Sequence, residues 1–140
     1  MQIAVKQVRS IKEKKHAISI RRKVFVEEMN IPENIEIDKH DESAKHILAY
    51  IENKPIGTAR WRETSHGLKL ERFAVLKEYR SRGAGKALTK YIIKKINKEK
   101  MIFLNSQYSA IGFYEKLGFK KIGNKFIEVD IPHQKMVYNK

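Results

Sequence analysis

At Gly83 the spacing of apolar residues along this chain changes from two to between three and four. Upstream, HILAYIE (46–52), IGTARWRE (56–63) and LKLERFAVL (68–76) alternate as half-buried strands do, with breaks at Asn53-Lys54-Pro55 and Ser65-His66-Gly67. Downstream, Ala84, Ala87, Leu88, Tyr91, Ile92 and Ile96 recur on one face of a helix that only Lys95 interrupts. Three antiparallel strands are therefore expected to run into an amphipathic helix. Within the third segment Leu68 and Leu70 share one parity and Phe73 and Val75 the other, which predicts a bulge between Arg72 and Ala74.

The flanks complete the pattern. QIAVKQV (2–8) reads as a strand, and Ala17, Ile20 and Val24 set the apolar stripe of a helix from Lys14 to Met29. The following stretch to Lys45, with Pro32 and several Asn and Asp residues, reads as a loop with room for one short helical turn. MIFLN (101–105) is a short buried strand. Ala110, Phe113, Tyr114 and Leu117 repeat a helical stripe, with Ser109 as its N-cap and Gly118 placed to end it in a left-handed conformation. FKKIG, FIEVDI and QKMVY close the chain as strands. The order β-α-β-β-β-α-β-α-β-β describes a mixed α/β fold, and 140 residues without linkers or repeats predict a single domain over 1–140.

Composition narrows the chemistry. With no cysteine, disulfides, thiolate metal sites and a cysteinyl intermediate are all excluded. No apolar run has membrane-spanning length and the N-terminus lacks a secretory pattern, so a cytoplasmic protein with no membrane partner is expected. The net charge of +14 is unevenly spread: between Glu27 and Glu42 lie seven acids and one base, Lys39, a window of −6 that leaves +20 elsewhere. Such a chain could hold an anion in one place and a cation in another. Asp38, His40, Asp41 and His46 lie close in sequence but match no metal-ligand spacing, so no metal is expected. The basic residues are dispersed and form no nucleic-acid-binding motif, which makes a nucleic-acid partner a poor fit.

The segment EYRSRGAGKAL (78–88) places two glycines at the strand-to-helix junction. Unsatisfied first-turn N–H groups, the helix dipole and the charges of Arg80, Arg82 and Lys86 make this an anion site, with phosphate the natural occupant. A phosphate-binding Walker A loop would need Gly at 80 and Ser or Thr at 87, where Arg80 and Ala87 stand. A dinucleotide fingerprint would need a third glycine where Leu88 stands.

Arg80-Ser81-Arg82-Gly83-Ala84-Gly85, following LERFAVL, resembles the R/Q-x-x-G-x-G/A loop of the GNAT superfamily of acyl-CoA-dependent N-acetyltransferases. NSQYSAIGFYEKLGF (105–119) is similar to its second signature. RRKVFVEE, the Asp38, Asp41 and His46 spacing, and IPHQKM resemble the ElaA-like branch. The resemblance implies a central, mostly antiparallel twisted sheet flanked by helices and splayed at a bulge in the fourth strand. It implies acetyl-CoA as co-substrate, with its pantetheine arm along Phe73, Ala74 and Val75 and its diphosphate on the loop around Ser81, Arg82, Gly83, Ala84, Gly85 and Lys86. Asn105 matches a position that often contacts the pantetheine arm or an ordered water, with a turn residue capping the next helix as the structural alternative. Tyr114 matches a tyrosine that sits near the thioester sulfur and can return a proton to the departing thiolate; by periodicity alone it reads as a core residue.

For the general base, Glu71 stands where many relatives carry a glutamate, against a salt bridge with Arg60 or Arg62 as the structural alternative. Glu28 and His133 compete for the role. Without cysteine, the acetyl group is expected to pass directly to a small-molecule or peptide amine in a ternary complex. The acidic window, including Glu28, Glu33 and Glu36, is expected to attract a cationic acceptor. The alternatives are a GNAT-like sensor that binds acyl-CoA without catalysis and a basic nucleic-acid-binding protein. A homodimer is compatible with the sequence.

Overall fold

The three alternating segments become neighbouring strands. A computed structural model describes residues 2–96 and 98–139; Met1 and Lys140, the ends of the expected domain, and Asn97 lie outside the described residues. β2 (Lys45–Ile51), β3 (Lys54–Thr64) and β4 (Gly67–Val75) pair antiparallel in succession, and β1 (Ile3–Gln7) adds to the outer edge of β2. The β2–β3 turn sits at Glu52 and Asn53, both left-handed with φ of 49° and 68°, so Lys54 and Pro55 already belong to β3. Two such residues give the turn a twist that matches the strands it joins.

The bulge falls where the parity switch puts it. Thr58 pairs with Ala74 and Arg60 with Glu71, which leaves Arg72 and Phe73 opposite Ala59. Arg72 accommodates the extra residue with a φ of 60°. β4 then pairs in parallel with β5 (Ile102–Gln107), but only through Leu68–Leu70 against Ile102–Leu104. Beyond Leu70 the two strands part. β5 pairs with β8 (Ile131–Tyr138), which also carries β6 (Phe119–Lys121) and β7 (Phe126–Glu128). The outcome is an eight-stranded, mostly antiparallel sheet opened into a wedge between β4 and β5.

Strand alternation assigns the two faces. Ile47, Ala49 and Ile51 pack with Ala84, Leu88 and Ile92 of α3 (Ala84–Lys95). Leu48 and Ala74 pack on the other face with Ala17 and Ile20 of α1 (Ile11–Arg21) and with Val24 and Phe25 beyond it. Burial of the Ile, Leu, Val and Phe side chains among these stabilises the fold by about 1.5–3 kcal/mol each before conformational entropy is charged. A single helix to Met29 was expected, but α1 widens into a π-helical stretch over Arg22–Glu28, closed by Met29 N–H donating to the Val24 carbonyl at 3.1 Å. The wider turn changes the helical phase of the residues after Arg21, and the loop beyond Met29 holds the short helix α2 (Glu33–Glu36).

Two local expectations are corrected. Ser109 is not an N-cap: it lies inside a 3₁₀ turn, Tyr108–Ala110, whose Tyr108 carbonyl accepts the N–H of Ile111 before α4 (Ile111–Lys116) begins. FIEVDI is not one strand. It breaks at Val129 and Asp130, left-handed with φ of 52° and 60°, because Glu128 pairs with Ile131 across a two-residue hairpin. Gly118 does end α4 in the left-handed region, with φ of 99°.

Candidate active site

Because β4 and β5 part after Leu70, the wedge between them is a cavity of about 550 Å³. Its floor comes from Leu70–Val75 of β4 and Leu104–Gln107 of β5. Phe113 and Tyr114 of α4 close one side. Phe25, Glu28 and Met29 of the π-helical stretch, with Ile31 and Ile35, close another, and the β7–β8 hairpin contributes Val129, Ile131 and His133.

Phe73, Ala74, Val75, Asn105 and Tyr114 all line this cavity. Past Leu70, among the described residues, β4 has no strand partner on its β5 side, so its backbone polar groups on that edge face the cavity. The β4 end leads into the glycine turn. Ser81 has φ of 63° and Gly83 of 91°, and no side chain caps α3. The first helical bond runs from Ala87 N–H to the Gly83 carbonyl at 3.0 Å, so the N–H groups of Ala84, Gly85 and Lys86 lie ahead of the helical ladder. A side chain at Gly85 would bring its Cβ within 3.2 Å of Phe113 Cζ, whereas Gly83 faces open space. The turn thus leaves N–H groups outside the helical ladder at the end of an open strand edge, an arrangement able to hold an anion.

The charged side chains around the turn are arranged less simply. Arg80 donates through Nη1 and Nη2 to both Glu28 carboxylate oxygens, at 2.6 and 2.7 Å, and through Nε to the Val75 carbonyl at 2.9 Å. Arg82 lies over the Tyr79 ring, 5.3 Å from its centroid. Arg80 thus ties the π-helical stretch to the end of β4, and Glu28 is held below the usual carboxylate range by the Arg80 hydrogen bonds.

Tyr114 is buried in an aromatic cluster, with ring centroids 5.8 Å from Phe73, 5.0 Å from Phe113 and 5.8 Å from Phe119. Burial pushes its hydroxyl above the usual phenol range, so it stays protonated at any working pH.

Glu71 takes the structural alternative. Arg60 Nε donates to its Oε2 at 2.7 Å, Arg62 Nε to the same oxygen at 2.7 Å, and Lys69 Nζ lies 3.3 Å from Oε1. Burial alone would raise its carboxyl, but the Arg62 hydrogen bond and the charges of Arg60 and Lys69 bring it below its ordinary value. A base for an alkylammonium needs the opposite shift.

Five of the seven acids of the window, Glu28 among them, are paired with arginines, so little of it is left to attract a cation. Glu33 accepts from Arg22 Nε at 2.6 Å. Glu36 is buried between Arg21 Nε at 2.5 Å and Arg72 Nε at 2.8 Å. Asp41 accepts from Arg21 and Arg60 at 2.6 and 2.7 Å, and Asp38 from Arg60 at 2.8 Å and Arg72 at 3.1 Å. Arg21 and Arg60 are each 1% exposed, and two buried guanidiniums require this many carboxylates. Arg21 was missed in the sequence. Its signal was present, since it occupies the i+4 place of the Ala17, Ile20, Val24 stripe where an apolar residue belongs.

His133 is differently placed. It lines the cavity from β8, stacks on Phe126 with centroids 5.8 Å apart, and has Nδ1 2.7 Å from the Ile131 carbonyl. A carbonyl only accepts, so Nδ1 carries a hydrogen, and whenever the ring is neutral its lone pair lies on Nε2.

An open β4 edge, an uncapped glycine-led helix and a cavity between splayed strands meet in one groove. The sequence matches the family model of the acetyltransferase (GNAT) domain over residues 8–140, and the chain belongs to that family, which uses acyl-CoA. The uncharacterized protein YyaT of Bacillus subtilis (strain 168) is 41% identical over 135 residues, spanning 92% of this chain and 90% of its own. The uncharacterized N-acetyltransferase YjcF of the same organism is 38% identical over 126 residues, spanning 88% and 90%. The crystal structure of Escherichia coli ElaA superposes with a TM-score of 0.88 at 23% identity, covering 99% of this chain and all of the other, a likeness of fold.

Proposed function

We propose that the protein moves an acetyl group from acetyl-CoA directly to a primary amine within a ternary complex. The observation that carries this reading is the continuity of the unpaired β4 edge with the glycine turn that starts α3. A strand-like pantetheine arm fits the edge along Phe73–Val75, and a diphosphate fits the N–H groups from Arg82 to Lys86. Asn105, opposite on β5, borders the same channel.

In this reading the β4 backbone N–H near Val75 holds the thioester oxygen as negative charge develops on it. Such a donor contributes about 2.7–4 kcal/mol to barrier lowering in comparable sites. His133 Nε2 takes one proton from the arriving ammonium. The amine nitrogen then forms a C–N bond to the acyl carbon as the C–S bond breaks. Tyr114, kept protonated by burial, hydrogen-bonds the departing thiolate; the second amine proton restores the thiol by way of the Tyr114 hydroxyl. Glu71 and its arginines hold the strand beneath the site and take no proton.

Thiol release from acetyl-CoA with an amine panel tests the reading. Amine-dependent release that falls at least tenfold in Tyr114→Phe, with acetyl-CoA affinity retained, is expected. Stabilisation by acetyl-CoA without thiol release would indicate a sensor instead.

A further inference from the structure

We propose that the acceptor is a monoamine with an apolar or aromatic body, not a polyamine or an amino sugar. This rests on the acyl-transfer reading, because it assigns the half of the cavity away from α4 to the acceptor. Phe25, Met29, Ile31, Ile35, Val129 and Ile131 give that half most of its wall, with Glu28, Glu36, Glu128 and His133 standing among them. Ile35 is 46% exposed and Val129 38%, and both line the cavity. Exposed apolar side chains gathered at the mouth of a pocket mark what the pocket receives.

The charges point the same way. The cavity wall carries four carboxylates, Glu28, Glu36, Glu71 and Glu128, against three bases, Lys69, Arg72 and Arg80. Three of those carboxylates are committed to arginines at 2.8 Å or less. Glu128, exposed on the hairpin rim, makes no ion pair among the described residues. Glu128 meets the arriving ammonium at the mouth before His133 takes its proton, and no second uncommitted carboxylate among the described residues lines the wall to hold another cation. A second or third cationic centre would meet arginine-neutralised acids inside and a body of net positive charge outside. The Val129–Asp130 turn brings an apolar β-branched residue to the rim in a left-handed conformation that such residues avoid.

Calorimetric titration of the CoA-saturated protein with 4-phenylbutylamine, 1,4-diaminobutane and spermidine tests the inference without requiring turnover. Burying a phenyl ring is worth about ten- to a hundredfold in affinity. The phenylalkylamine is therefore expected to bind at least tenfold more tightly than either polyamine. Ile35→Glu, an exposed position, is expected to narrow that ratio severalfold, and Ile35→Leu to leave it unchanged. Equal or tighter binding of a polyamine, or no heat with the phenylalkylamine, overturns the inference. Tight phenylalkylamine binding without thiol release would refute the transfer reading and leave the acceptor pocket standing. Thiol release with polyamines alone would do the reverse.

Discussion

Arg60 Nε lies 2.7 Å from Glu71 Oε2, and the same guanidinium reaches Asp38 and Asp41 at 2.8 and 2.7 Å. The glutamate on the central strand is thereby one corner of a buried ionic cluster that fastens the acidic segment to β3 and β4. Removing one partner from such a cluster leaves the others charged and desolvated, at a cost of about 3–5 kcal/mol. Arg60→Met is expected to lower the unfolding free energy by that amount in urea titration. Glu71→Gln, where it folds, is expected to lower kcat less than tenfold, and a loss of a hundredfold or more would return the base to Glu71.

His133→Gln separates proton transfer from binding. General base assistance is worth about 10²–10⁴ in rate. The variant is expected to lose at least a hundredfold in kcat while keeping its affinity for acetyl-CoA and its melting temperature, read by calorimetry and thermal unfolding. A KM effect alone would make His133 a binding residue.

Stability is expected to fall with acid in two stages. His46 is 5% exposed; Nε2–H donates to the Asp41 carbonyl at 2.9 Å and Nδ1 has no partner among the described residues, and burial pushes the ring below its ordinary range. The unfolded chain takes this proton near ~6.5, so the stability His46 confers is complete above that pH and is lost as pH falls toward its folded value. Asp38, Asp41 and Glu71, raised by burial but lowered further by their arginines, all end below their ordinary values. Their contribution is complete above ~4.3 and is lost on further acidification. Glu36, raised by burial against the pull of Arg21, has the opposite sign and offsets part of the second stage. Urea midpoints across pH 3–8 check this, with His46→Gln expected to remove the first stage alone.

Val129 with φ of 52° carries backbone strain that glycine would not. Val129→Gly is expected to raise the unfolding free energy by up to ~1 kcal/mol, since relief of ~1–2 kcal/mol is partly offset by the greater chain entropy of glycine. If the acceptor rests on this side chain, the same variant weakens phenylalkylamine binding severalfold.

The parts of the fold that were legible in the sequence are those set by local periodicity. The three strands, the bulge at Arg72 and Phe73, and the start of α3 follow from spacing alone, because each buries one face against a neighbour. The glycine turn was legible because backbone chemistry there depends little on distant partners. The acidic window was not, since a charge count cannot say that Arg21 and Arg60 lie buried within reach of it. Glu71 had both readings in the sequence, and only the tertiary approach of Arg60, Arg62 and Lys69 decides between them. The π-helical widening after Arg21 left no periodic trace, yet it belongs to the stretch that supplies Phe25 and Glu28 to the cavity.

A crystal structure with bound coenzyme A tests the central claim most directly. The account predicts diphosphate oxygens within about 2.7–3.2 Å of the N–H groups between Arg82 and Lys86, and the thiol beside Tyr114 in the β4–β5 wedge. A diphosphate held elsewhere, or a wedge that remains without coenzyme at saturating concentration, would contradict it.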